Sequence, residues 1–152
     1  MKVITNNNKA RHEYKFFDTF EAGLELKGSE VKSLRNGTCS IAESYVGIEG
    51  MQAFVYSMHI PEFDKASFFK PDPNRKRKLL LHKQEINKLM GLTAQKGYTI
   101  VPLKIYFNDK GLVKIQIALA KGMLHQDKRR KIKDAIVERE TARELKNWRV
   151  KG

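Results

Sequence analysis

Residues 96–122, KGYTIVPLKIYFNDKGLVKIQIALAKG, constrain the fold more than any other segment of this chain. Thr99, Val101, Leu103, Ile105 and Phe107 alternate with Ile100, Pro102, Lys104 and Tyr106. Past Asn-Asp-Lys-Gly, Val113, Ile115, Ile117 and Leu119 alternate with Lys114, Gln116 and Ala118. Side chains along a strand point alternately to opposite faces, so each arm buries one row and shows the other. Residues 108–111 tolerate positive φ, which predicts an antiparallel hairpin with one β-branched, apolar face. Its second face, with Lys104, Tyr106, Lys114 and Gln116, reads equally as an ordinary solvated side or as a basic surface for nucleic acid. Pro102 has no amide hydrogen to donate and belongs at an edge or a bulge.

The first half of the chain extends this pattern. Tyr14, Phe16, Phe20, Ala22, Leu24 and Leu26 form one row, and Lys15, Thr19, Glu21, Glu25 and Lys27 the other. That predicts a long strand, bulged or bent near Asp18. Taken alone, Glu21 is a solvated carboxylate. Gly28-Ser29 then opens a short helix capped by Ser29, with Val31 and Leu34 inward and Gly37 at its end. Lys32 and Arg35 fall on its exposed side, either solvated or on phosphate. Two further strands are expected over 41–48 and 53–58, joined at Glu49-Gly50. A loop over 61–70 carries Phe63, Phe68 and Phe69, whose commoner use is to cover apolar surface. After residues 79–81, Ile86, Leu89 and Met90 recur at helical spacing, and Gly91 weakens that helix without ending it.

Charge narrows the function. The 152 residues suffice for one domain with a real core, and their net charge of +13 points to a polyanionic partner, nucleic acid or an anionic membrane. The polar start, with Lys9, Arg11 and His12, reads as a frayed end or as an arm gripping phosphate. Residues 74–78, Asn-Arg-Lys-Arg-Lys, read as a phosphate clamp beside a packed helix. Over 121–152 eleven Lys and Arg oppose five Asp and Glu, while Ile132, Ala135, Ile136, Ala142 and Leu145 mark only a thin apolar stripe. So narrow a face does not offset ordering entropy, so this tail is expected to be disordered alone and helical against RNA.

Other classes recede. No apolar run reaches the ~18 residues of a membrane span, and the start lacks the apolar stretch of a secretory signal. Cys39 is alone, forms no internal disulfide and suits a reducing cytosol. His12, His59, His82 and His125 lack metal-ligand spacing, and phosphate-loop, dinucleotide and nucleophile-elbow motifs are missing. We therefore expect no metal, no cofactor and no catalytic residue. A nuclease, a membrane-surface tail helix and a general single-strand binder on an OB-type barrel are the competing readings.

Several long stretches together resemble the SsrA-binding protein (SmpB) family: NKARHEY at 8–14, FEAGLELKGSEVKSLRNG at 20–37, RKLLLHKQEI at 77–86, KGYTIVPLKIYF at 96–107, and ALAKG with QDKR within 118–129. The resemblance implies a mainly β fold with flanking helices, an OB-like closed antiparallel β-barrel over 1–122 plus a basic C-terminal tail over 123–152. It implies an RNA-binding adaptor and not an enzyme, cytoplasmic and monomeric. Its partners would be the tRNA-like domain of transfer-messenger RNA, elongation factor Tu and the decoding region of the small ribosomal subunit. The family's RNA-binding Glu, Leu and Lys fall on Glu21, Leu80 and Lys114. Asn7, Lys9, Arg11, His12, Lys32, Arg35, Arg75, Arg77, Lys78 and Lys121 complete the expected RNA contacts. Gly122, Asp127, Lys128 and Arg129 match the residues linked to work on the ribosome. Met123 and Leu124 stand where the family commonly has two lysines. Gln126, preceded by His125, stands where it has an aromatic or His, so no stacking role is carried to 126.

Overall fold

A computed structural model of the chain describes residues 1–62, 71–95 and 97–122. The expectations for Phe63, Phe68, Phe69 and the tail from Met123 onward lie outside these residues. The elements in order are β1 (Lys2–Asn6), α1 (Asn8–Glu13), β2 (Tyr14–Leu24), α2 (Gly28–Asn36), β3 (Tyr45–Glu49), β4 (Gln52–Tyr56), β5 (Arg77–Leu80), α3 (Lys83–Thr93), β6 (Tyr98–Phe107) and β7 (Val113–Gly122). The strands form one antiparallel sheet in the order β1-β6-β3-β4-β5-β2-β7, and β6 also pairs with β7. The β3–β6 step is a single residue pair, Val46 with Ile100. A mainly antiparallel β protein with flanking helices, as expected, is what the structure shows.

The β6–β7 hairpin turns where the sequence placed it. Asn108 accepts from the Lys110 and Leu112 amides at 3.0 and 2.9 Å, and Gly111 takes the positive φ of 77° that the turn needs. Between β3 and β4, Gly50 and Met51 both have positive φ, giving the two-residue primed turn that suits twisted strands.

Bulges decide which side chains enter the core. The registers shift between Phe16 and Asp18 and between Pro102 and Lys104, at the two positions the sequence flagged. An extra residue in one strand reverses the parity of all that follows. Alternation alone put Val101 and Leu103 on one face with Ile105 and Phe107. Instead Ile105 and Phe107 join Ile100 in the main core, while Val101 and Leu103 pack with Ala10, Ala118 and Ala120 in a second cluster. Likewise Tyr14 and Phe16 lie against the second cluster and Phe20 against the first. The sheet thus has an apolar layer on each side, and α1 covers the outer one through Ala10.

The N-terminus is an ordered strand and helix, not a frayed end. β1 pairs with β6, and Asn7 is the reason the chain turns into α1. Only 2% exposed, Asn7 accepts from the Ala10 amide at 3.0 Å and donates to the Ile41 and Pro102 carbonyls at 3.1 and 2.8 Å. Helix α2 begins two residues earlier than a Ser29 cap would place it, with Lys27 at its N-cap position, and Glu30 rather than Ser29 supplies the capping carboxylate, accepting from the Lys27 amide at 2.9 Å. Leu34 is buried and Val31 half-buried, as the spacing required. β3 starts at Tyr45 rather than 41, and residue 79 belongs to β5, not to the approach of a helix. In α3, Ile86 and Leu89 are buried, but Met90 is 42% exposed and lies outside the core stripe.

Candidate nucleic-acid interface

Cross-strand partners share a face of the sheet, so the registers assemble the outward surface residue by residue. One row runs Leu80, Gly23, Lys114, Tyr106, Val3 across β5, β2, β7, β6 and β1. The next row, two residues along, runs Glu21, Gln116, Lys104, Asn6. Glu21, Leu80 and Lys114, which sit far apart in sequence, therefore stand on one face, with Lys104, Tyr106 and Gln116 between them. The bulges are what turn this stretch of β6 outward while its neighbours enter the two cores.

Within the face the groups hold one another. The Tyr106 hydroxyl donates to Glu21, and the Lys104 ammonium lies 5.2 Å from the centre of the Tyr106 ring. Burial and the hydrogen bond to Glu21 push the Tyr106 phenol up to about 12, so it remains a donor throughout the neutral range. Lys104, Lys114 and Gln116 are half-buried, their stems lying on the sheet. Leu80, 53% exposed, drapes over Gly23: a Cβ at 23 would stand 3.3 Å from the Leu80 Cβ and 3.4 Å from its Cδ1. Gly23 was not among the expected site residues. Its only sequence signal is a glycine inside a strand, which marks a close approach.

The run 74–78 needs correction as a clamp. Arg77 is fully buried. Its guanidinium donates to Glu30 Oε2 at 2.7 Å and to the Met58, Arg75 and Pro73 carbonyls at 2.5, 3.1 and 2.9 Å. Arg75 also donates to Glu30, so one carboxylate, 3% exposed, takes both arginines. Arg77 is therefore a structural cation, because its donors are spent inside and its face is closed to solvent. Asn7 is a second correction of the same kind. Lys76 bonds Glu49 at 3.0 Å, and Lys78 is half-buried on the outward side of β5 beside Leu80.

The other expected contacts are spread around the sheet. Lys9 is exposed and paired with Glu43, while Arg11 and His12 are exposed on α1. Lys32 and Arg35 are exposed on α2. Lys121, exposed near the end of β7, lies 5.6 Å from the centre of the Tyr98 ring. Gly122 closes β7, and Asp127, Lys128 and Arg129 lie outside the described residues. Cys39 is buried, which pushes its thiol up to about 12, so it is no nucleophile. Among the described residues no cluster of three His, Cys, Asp or Glu is placed to hold a metal, and no helix is long and apolar enough to cross a membrane.

Fold and surface together define an antiparallel β protein with helices at its periphery and a basic outward face, in which Tyr106 is itself only 5% exposed. The family described as SmpB protein matches residues 4–147 of this chain. An SsrA-binding protein of a Nitratiruptor species is 49% identical over 150 residues, which is 98% of this chain and 100% of the relative. Its counterpart in Coprothermobacter proteolyticus is 47% identical, covering 96% and 98% of the two chains. The counterpart in Enterococcus faecalis is 48% identical, covering 97% and 96%. A solved chain described as "tmRNA-SmpB: a journey to the center of the bacterial ribosome" superposes with a TM-score of 0.68 at 45% identity, over 82% of this chain and 87% of that one. This chain belongs to the SmpB family.

Proposed function

We propose that the chain is an RNA-binding adaptor that holds the tRNA-like domain of transfer-messenger RNA and acts with it on the ribosome in trans-translation. The observation that carries this reading is the outward face on which Glu21, Leu80 and Lys114 meet, in a chain whose relatives are named for binding SsrA. Lys104, Lys114 and Lys78 supply charge for phosphate. The Glu21–Tyr106 hydrogen bond fixes a polar edge between them, and Leu80 supplies a contact of fixed shape. Charge draws the RNA in, and the spacing of these groups selects a folded elbow over an extended strand. We read the sheet, with its one-pair seam between β3 and β6, as an OB-like barrel that keeps the face rigid. No bond is made or broken in this role.

The tail is the second half of the adaptor. Gly122 leads to Asp127, Lys128 and Arg129, which we assign to ribosome engagement, the segment after them ordering as a helix along the ribosome's empty message path. Elongation factor Tu would accompany the complex in the cytoplasm, one copy of the chain per RNA. The division is testable. Lys114→Ala should weaken binding to the tRNA-like fragment and lower the slope of log affinity against log salt by about one. Replacing Asp127, Lys128 and Arg129 together by alanine should leave that affinity nearly intact while abolishing tagging of stalled chains. Loss of most RNA affinity in the triple variant would contradict the division.

A further inference from the structure

Strands β3 and β4 carry the outward face further round the sheet. Phe54 pairs across to Lys78, two residues from Leu80, and Tyr56 pairs with Tyr45. The Tyr45 and Tyr56 rings are stacked, 5.2 Å between centres and 15° between planes. Three features hold this ledge. A Cβ at Gly47 would stand 2.9 Å from Tyr56 Cε2, so glycine there lets the ring lie flat on β3. The Tyr56 hydroxyl donates to Glu49, which also accepts from Lys76 at 3.0 Å. The Lys76 ammonium lies 4.6 Å from the centre of the Phe54 ring. Tyr45, the outer ring, is nevertheless 49% exposed. It also lines a cleft of about 110 Å³ together with Ser44, Glu43, Glu13 and Tyr14.

We infer that Tyr45 is a stacking platform for one unpaired base of the bound RNA; the inference rests on the RNA-binding reading above. A ring fixed in advance loses little entropy on binding, and base–aromatic stacking accepts any base because each has a π face. Lys76 and Lys78, flanking Phe54, supply cations where the adjoining phosphates pass. Glu13 and Glu43 line the cleft and Lys9 is already paired with Glu43, so the cleft holds no surplus of cations to draw the backbone in and suits a base instead. Charge and continuity with the Leu80–Lys114 row favour RNA over a protein partner. Beside Tyr45, the large apolar group this hairpin exposes is Met51, too little for a protein interface core.

The test uses the full chain and a tRNA-like transfer-messenger RNA fragment, with Lys114→Ala measured alongside. Tyr45→Ala should lower affinity roughly tenfold with the salt slope unchanged, and Tyr45→Trp should restore it. Gly47→Ala, which lifts Tyr56, should lower affinity while thermal unfolding remains cooperative. Unchanged affinity in Tyr45→Ala while Lys114→Ala binds weakly would overturn this inference alone; unchanged affinity in both would overturn the RNA face as a whole. Intact RNA affinity with reduced co-sedimentation on ribosomes would assign Tyr45 to a ribosomal contact instead, and would also overturn it.

Discussion

Arg77 and Glu30 form a buried ion pair at the base of the loop that leads into β5. Burial lowers the affinity of the Arg77 guanidinium for its proton, and the Glu30 carboxylate opposes that shift. Burial would likewise raise Glu30, but hydrogen bonds from Arg75, the Lys27 amide and Arg77 outweigh it and hold the carboxyl below its usual range. A carboxyl with a depressed folded-state pKa contributes stability above its unfolded pKa of about 4.3, and that stability is lost as pH falls through the folded value. Glu30→Gln, which leaves Arg77 buried without a counter-charge, should cost about 3 kcal/mol in urea unfolding at pH 7. The variant should also lose less stability than the parent between neutral and strongly acid pH. A cost below about 1 kcal/mol would mean the pair does not hold the loop. None of this is legible in the run 74–78, because the partner lies 47 residues away from Arg77 and reads locally only as an acid suited to the positive end of a helix. Glu21 poses the same difficulty: alternation turns it outward, but only the register brings Tyr106 to it.

Among the elements, the sequence is most legible where alternation runs long, even when a bulge interrupts it. β2, β6 and β7 follow from periodicity, as do the inward positions Leu34 of α2 and Ile86 and Leu89 of α3 but not Met90, and Pro102 and Asp18 announce irregular pairing. What alternation cannot tell is the parity after a bulge, and so it merged two apolar layers into one. β1 escaped notice because its five residues, KVITN, include no buried side chain; its order comes from pairing with β6. The same registers make Gly23 an element-scale device, the gap through which β5 lays Leu80 across β2. Gly23→Val should therefore push Leu80 off the face and weaken RNA binding about as much as Leu80→Ala. Its melting should stay cooperative, because the displaced side chain is exposed. Wild-type affinity in Gly23→Val would show that the position of Leu80 does not matter.

Over the whole molecule, charge and shape have separate roles. A net charge of +13 guarantees attraction to any RNA, and counterion release makes that attraction fall steeply with salt. The two outward rows add a fixed pattern of lysines, a tyrosine–glutamate pair and a leucine, and a pattern of that kind discriminates where charge alone does not. The most direct test is binding of the full chain to a tRNA-like transfer-messenger RNA fragment at low and at physiological salt, with ordinary tRNA and single-stranded RNA as competitors. Binding should weaken at the higher salt while the preference for the tRNA-like fragment over both competitors stays undiminished. Preference that vanishes as salt rises would contradict this, and would leave the face a nonspecific phosphate binder.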